Sequence, residues 1–218
     1  MSERRQFLLK SINRSYIEEK LRQKDWDYIA KENKLSEEFI REFSDKLQWI
    51  YISSYQNLSE SFIREFQHKV VWTFISANQK LTEEFIREFE ELVVWYPISS
   101  NQTLSEDFLR EFKNKINWEM ISQNQTLSEK FIREFQNDLD WYWISKKQNL
   151  SDNFIVEFEE KMNWVGYFLS QKPSYIFLKK YIYKPQFINI VDVNKEHLNQ
   201  YQKNELEKLW ALKYMFVI

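Results

Sequence analysis

The chain has 218 residues, of which 43% are hydrophobic and 18% aromatic, and this is enough apolar material to exclude a disordered protein. One glycine and three prolines favour helices over a turn-rich β fold, and the lack of cysteine excludes disulfides and thiolate metal sites. The net charge of −2 is unevenly spread: residues 1–34 carry +3, residues 35–172 carry −8 and residues 173–218 carry +3.

Residues 1–11 are predicted to be an N-terminal cap segment, because they lack both the apolar run of a signal peptide and a copy of the repeat that follows. The apolar stretch at 209–218 is interrupted by Lys213 and is far shorter than a membrane span. We therefore expect a cytoplasmic protein that makes no contact with a membrane.

A 23-residue unit recurs along the middle of the chain, with the pattern L-S-E-E-F-I-R-E-F followed by W-x-x-I-S. A weaker copy from Ile12 precedes it, so that residues 12–172 hold seven repeats. The clear copies begin at Leu35, Leu58, Leu81, Leu104, Leu127 and Leu150.

Each unit is predicted to form two helices. A serine or threonine at its second position is a helix N-cap, and acidic residues follow in the first turn. Apolar residues at the fifth, sixth, ninth and thirteenth positions, such as Phe39, Ile40, Phe43 and Leu47, lie on one stripe of a single first helix.

The second helix is predicted to begin near the tryptophan. Asn117, Asp140 and Asn163 precede a tryptophan and are candidate N-caps. Pro97 follows Trp95 by two residues, in a first turn where a proline removes no helical hydrogen bond.

The tryptophan column is predicted to be a continuous structural spine, because most of these residues precede a buried-type isoleucine by three positions. A row of ligand-binding platforms is the alternative. The column consists of Trp26, Trp49, Trp72, Trp95, Trp118, Trp141 and Trp164.

Two columns of polar residues are predicted to stabilise the repeat structure rather than to bind a ligand. The glutamines at the turns, Gln56 for example, are predicted to satisfy backbone groups between adjacent units, with ligand binding as the alternative. Each arginine, Arg41 for example, follows an acid such as Glu37 by four residues, which predicts ion pairs on a solvated helix face. Glu42 and Lys46 have the same spacing. Phosphate binding by the arginines is the alternative.

Residues 173–218 are predicted to hold a decayed repeat, with Phe177, Leu178, Tyr181, Phe187 and Ile190 in register, and then a C-terminal capping helix over about 194–214. The expected fold is therefore all-α: a right-handed α-solenoid of about seven two-helix repeats and a C-terminal capping helix, forming one continuous body.

The sequence shows no catalytic pattern. The two histidines, His68 and His197, have no metal-ligand spacing and no nucleophile arrangement, and one glycine cannot build a phosphate-binding loop. Acidic residues cluster between Glu83 and Glu91, for which an acidic surface is expected and a cation site is the alternative. We expect neither enzyme activity nor a cofactor.

The candidate binding residues lie where the repeats differ, at the two positions after each tryptophan. Many of these residues are large and apolar although they point away from the tryptophan stripe. Recognition of a partner and packing between neighbouring second helices are both open interpretations. The candidates are Tyr51, Phe74, Tyr96, Met120, Tyr142 and Trp143.

The F-I-R-E-F and W-x-x-I-S motifs of residues 12–172 resemble short tryptophan-containing helical repeats of viruses, phages and low-GC bacteria. This resemblance implies the repeat fold and no particular activity.

The expected function is that of a non-enzymatic protein-binding scaffold, monomeric or weakly oligomeric. A sharper hypothesis is a phage or mobile-element inhibitor, similar to an anti-CRISPR protein, whose acidic body occupies the basic groove of a nucleic-acid enzyme. The alternatives are a solenoid that binds RNA or DNA, which the acidic repeats disfavour, and a self-assembling structural protein.

Overall fold

The described elements are all helical. The computed structural model describes residues 25–171, 175–181 and 199–215; within them it contains fifteen helices and no strand. Helices of six and seven residues alternate with the 23-residue period as in an α-solenoid, which confirms the predicted fold class. The residues fall into two compact units that divide after Ile116, an N-terminal unit and a C-terminal unit.

In the N-terminal unit the second helices of successive repeats pack side by side, beginning with the helix that follows Asp25. The helices of this unit are α1 (Trp26–Glu32), α2 (Glu37–Glu42), α3 (Trp49–Tyr55), α4 (Glu60–Glu65), α5 (Trp72–Asn78), α6 (Glu83–Glu88), α7 (Trp95–Asn101) and α8 (Glu106–Glu111).

The C-terminal unit continues the alternation and ends in a longer helix. Its second helices also pack side by side. Its helices are α9 (Trp118–Asn124), α10 (Glu129–Glu134), α11 (Trp141–Lys147), α12 (Asp152–Glu157), α13 (Trp164–Ser170), α14 (Tyr175–Tyr181) and α15 (Gln200–Met215).

The first helix of each pair is capped as predicted but is shorter than predicted. In α2 the Ser36 hydroxyl accepts a hydrogen bond from the Phe39 N–H at 3.2 Å. The helix ends at Glu42, and the N–H groups of Lys46 and Leu47 both donate to the Phe43 carbonyl. The prediction of one helix through the thirteenth position was wrong, because the polar residues after Phe43 form a tight turn that still directs Leu47 into the core.

The second helices begin at the tryptophans, as predicted. Asn117 accepts a hydrogen bond from the Met120 N–H at 3.0 Å, and Asp140 and Asn163 cap their helices in the same way. Pro97 is the third residue of α7, where its missing N–H breaks no helical bond.

Phenylalanine and isoleucine form the innermost core, whereas the tryptophans are half-buried. The rings of Phe62 and Phe85 and the side chain of Ile75 have no exposed surface. Trp72 packs on Phe85 and Phe89 of the next repeat, with ring centroids 6.2 and 5.0 Å apart. The predicted tryptophan spine is therefore correct only in part, because the indoles from Trp26 to Trp141 each bridge two repeats through phenylalanine rings. The indole N–H of Trp72 also donates to the Gln67 carbonyl of its own repeat.

The glutamine column joins each repeat to the turn of the repeat before it, as predicted. Gln79 is 7% exposed; its Oε1 accepts a hydrogen bond from the Leu58 N–H at 3.0 Å. Its Nε2 donates to the Gln56 carbonyl at 2.8 Å. The buried amide thus provides hydrogen-bond partners for one backbone N–H group and one backbone carbonyl that lie in the turn between helices.

A buried serine links its repeat to the repeat that follows, whereas the glutamine links its repeat to the one before. Ser53, the last residue of W-x-x-I-S in its repeat, is fully buried and accepts a hydrogen bond from the Val71 N–H at 2.9 Å. Ser76 does the same for Val94. The serine therefore holds the start of the next second helix, whether the residue before the tryptophan lacks a capping side chain, as Val71 does, or has one, as Asp140 does.

The last described helices close the C-terminal unit. Leu206 of α15 is 1% exposed and packs with Phe177 and Leu178 of α14. Phe177 and Leu178 are themselves buried, in agreement with their predicted places in the decayed repeat. The helix predicted over about 194–214 is α15, shifted towards the C-terminus. Residues 1–11, Phe187 and Ile190 lie outside the described residues, as does the side chain of Tyr181.

Alkaline pH is expected to destabilise the C-terminal unit through Tyr167, which is 5% exposed in the same cluster. Burial, helped by the negative charge of Asp152, raises the pKa of Tyr167 from 10.0 to about 12. Because the folded pKa is the higher one, the neutral phenol contributes stability that is complete below pH 10 and is lost as the pH rises through about 12. Thermal melts over this range should show a smaller alkaline loss for Tyr167→Phe than for the natural chain. An equal loss in Tyr167→Phe and in the exposed control Tyr201→Phe would contradict the assignment.

Within the described residues, no helix combines the length and the apolar character that crossing a membrane requires.

Candidate functional site

The arginines of the first helices link neighbouring repeats. Arg87 lies 3.5 Å from Glu83, the predicted i,i+4 partner, but its Nε donates to Glu111 of the next repeat at 2.8 Å. Its guanidinium also lies 5.0 Å from the centre of the Phe108 ring. The hydrogen bond to Glu111 raises the pKa of Arg87. The same inter-repeat pair joins Arg41 to Glu65, Arg64 to Glu88 and Arg133 to Glu157.

The lysines that follow the first helices also pair across repeats. The prediction that Glu42 and Lys46 face each other on a helix was wrong, because α2 ends before Lys46. Lys69 instead contacts Asp45 of the preceding repeat at 2.8 Å, and this hydrogen bond lowers the pKa of Asp45. Many of the charged side chains on this face are thus paired between neighbouring repeats.

The acidic cluster at 83–91 does not form a cation site. Glu83 accepts a hydrogen bond from the Ser105 N–H at 2.6 Å, and Glu91 lies 2.6 Å from Lys115. Among the residues that the structure describes, no group of three or more His, Cys, Asp or Glu side chains converges on one point. These carboxylates bind different neighbouring groups, so an acidic surface describes this cluster better than a cation site does.

The outer side of three second helices of the N-terminal unit differs sharply from this charged face. Helices α3, α5 and α7 contain no charged residue; their sequences are W-I-Y-I-S-S-Y, W-T-F-I-S-A-N and W-Y-P-I-S-S-N. Each helix packs on the next, so their outward side chains form one surface within the N-terminal unit. That surface offers aromatic rings, hydroxyls and amides, and no ionised group of its own.

The predicted binding residues divide into two groups by exposure. Tyr96 is 58% exposed and Tyr142 is 40% exposed, and both directly follow a tryptophan. The residues one position further on, Tyr51, Phe74, Met120 and Trp143, are half-buried.

The half-buried position packs against the neighbouring second helix and still reaches the surface. The Lys31 ammonium of α1 lies 4.1 Å from the centre of the Tyr51 ring, and this contact marks one border of the uncharged surface. Packing between second helices therefore accounts for the residues two positions after the tryptophan, whereas Tyr96 and Tyr142, directly after a tryptophan, are exposed.

Two exposed residues of α3 were not among the predicted binding residues. Tyr55, at the end of α3, is 59% exposed, and Ile50 is 45% exposed. The ring of Tyr55 lies 6.4 Å from that of Tyr51. The signal for Tyr55 is the sixth position after the tryptophan, where the repeats also differ, as they do at Asn78 and Lys147. We name Ile50, Tyr51, Tyr55, Phe74 and Tyr96 the neutral face.

No protein-family model, curated protein or solved structure matches this chain.

Proposed function

We propose that this chain is a non-enzymatic protein-binding scaffold whose N-terminal unit contacts its partner through the neutral face. The observation that supports this proposal is the set of exposed side chains Ile50, Tyr55 and Tyr96, with the half-buried Phe74 between them, on three adjacent helices without a charged residue. Depletion of charge together with enrichment of tyrosine is typical of the centre of protein interfaces.

The partner surface is inferred to be uncharged and partly apolar. A partner charge buried against Tyr55 or Tyr96 would lose its water and gain no ion pair, which is unfavourable. Tyrosine rings provide large contact areas with few rotatable bonds, and the serine and asparagine side chains beside them provide adaptable hydrogen bonds. The frame holds these rings on rigid short helices, which lowers the entropy lost on binding.

The finer hypothesis of an inhibitor that enters the basic groove of a nucleic-acid enzyme would use the opposite chemistry. Its contacts would be the exposed carboxylates of the first helices and turns, such as Glu84 and Asp107, whose side chains are 82% and 95% exposed. Many of the carboxylates on this side already pair with arginine or lysine, so the neutral face is the stronger candidate.

The proposal is tested by photo-crosslinking in cells that express the chain. A benzophenone-bearing residue is placed at position 55 or 96, or at the control positions 84 and 107. We expect specific protein adducts at 55 and 96 only. Adducts equally frequent at all four positions, or their absence at 55 and 96, would count against the neutral face.

The recovered protein is then purified and its affinity measured by calorimetry. Tyr55→Ser and Tyr96→Ser should each weaken binding by at least about tenfold, since exposed aromatic anchors dominate such interfaces. The matched controls Glu84→Gln and Asp107→Asn should leave the affinity unchanged, and added salt should have little effect. Strong salt dependence and loss of binding in the control variants would favour the inhibitor hypothesis instead.

A further inference from the structure

The C-terminal unit carries a second surface of different chemistry on α11. The rings of Tyr142 and Trp143 meet edge to face with centroids 5.0 Å apart. The Lys146 ammonium lies 5.2 Å from the centre of each ring and 3.2 Å from the Tyr142 hydroxyl. The two rings therefore hold a cation at a defined place on the surface.

The neighbouring helix α13 packs against Tyr142 at Gly166. A Cβ atom at Gly166 would lie 3.4 Å from the Tyr142 carbonyl oxygen and 3.5 Å from Cδ2 of its ring, in addition to 3.1 Å from Asn163. The two distances to Tyr142 are ordinary van der Waals contacts, so Tyr142 packs directly on α13 at this position. Val165, beside it, is 70% exposed and extends the apolar part of the surface. We name Tyr142, Trp143, Lys146, Lys147 and Val165 the lysine–aromatic patch.

The positive charge of this patch is not neutralised within the described part of the chain. Lys69, Lys115 and Lys179 each have a carboxylate within 2.8 Å. Among the described residues, Lys146 contacts only aromatic groups and the Tyr142 hydroxyl through its ammonium, and no carboxylate lies within 4.0 Å of Lys147. Two ammonium groups beside exposed apolar surface are therefore available to an incoming anion.

We propose that the lysine–aromatic patch binds a short acidic peptide segment that also carries a large apolar side chain. The carboxylates of the segment pair with Lys146 and Lys147, and its apolar side chain packs on Tyr142 and Val165. A segment with two or three carboxylates matches the two lysines. A long polyphosphate chain does not, because it would extend beyond the two lysines over residues 117–172, whose nine acidic and six basic residues would repel the additional phosphates.

The site is tested with the full chain against a phage-displayed library of random linear peptides. The peptides enriched on the natural chain should combine Asp or Glu with Leu, Phe or Trp. One such peptide is then synthesised and its affinity measured by fluorescence anisotropy. Lys146→Gln/Lys147→Gln should weaken its binding by at least about tenfold, and replacing its acids by amides should do the same.

Matched variants separate this site from other basic groups and from the neutral face. Lys80→Gln/Lys130→Gln removes two exposed lysines elsewhere and should leave peptide binding unchanged, as should Tyr55→Ser/Tyr96→Ser. Failure to enrich acidic peptides, or equal binding to the natural chain and to Lys146→Gln/Lys147→Gln, would overturn the proposal. So would oligo(dT) that binds as tightly as the peptide and depends on the same two lysines, because the patch would then be a polyanion site.

Discussion

Replacing Phe85 with alanine is expected to lower the free energy of unfolding by about 3–5 kcal/mol, the usual effect of truncating a large core side chain. Phe85 has no exposed surface and contacts Phe89 and Trp72 through its ring, with the Arg64 guanidinium 4.9 Å above it. The substitution therefore leaves a cavity at the junction of two repeats. Urea denaturation followed by circular dichroism measures the loss.

The control for this substitution is Tyr96→Ala, which removes a comparable ring from an exposed position and should change stability by less than about 0.5 kcal/mol. Trp72→Ala should have an effect smaller than that of Phe85→Ala, because the indole is half-buried. A larger effect for Trp72→Ala would restore the continuous tryptophan spine and would argue against a phenylalanine core.

Replacing Gln79 with leucine is expected to lower the free energy of unfolding by about 2–4 kcal/mol, although leucine is similar in size and more apolar. The substitution leaves the buried Leu58 N–H and the Gln56 carbonyl without their partner. An unsatisfied buried polar group is more costly than the net gain from an ordinary hydrogen bond. Urea denaturation again measures the change.

Gln67→Leu is the matched control for this prediction. Gln67 is half-buried and donates one long hydrogen bond of 3.4 Å to the Arg64 carbonyl, so its loss should have a small effect. Equal destabilisation by the two substitutions would mean that the turn bonds of the glutamine column contribute little.

The residues that join the repeats to one another are distinct from the residues of the proposed neutral face. Within each compact unit, the arginine, glutamine and serine columns join neighbouring repeats in the same way. A substitution in these columns changes the frame, whereas one at Tyr55 or Tyr96 changes only the surface. Residues that stabilise the fold are thereby separated from residues that can vary on the surface.

Much of the local structure follows from the sequence alone. The 23-residue period, the hydroxyl N-caps such as Ser36, the asparagine and aspartate caps such as Asn117, and the start of each second helix at a tryptophan are all local signals. The glutamine bonds could also be predicted, because a polar amide that recurs in a turn between apolar segments requires backbone partners.

Only the tertiary structure decided where each side chain finds its partner. Arg87 has an acid at the right helical spacing in its own repeat, yet the shorter bond is to Glu111, which stacking brings closer. The first helix ends at Glu42 because the chain must turn for the second helix to pack against its neighbours, and periodicity cannot show this. The exposure of Tyr55 and the cover over Tyr51 likewise depend on adjacent helices. Helix caps and repeat length depend on residues close in sequence, so the sequence alone determined them. Burial and side-chain pairing depend on residues about one repeat away, so only the packing of the repeats determined them.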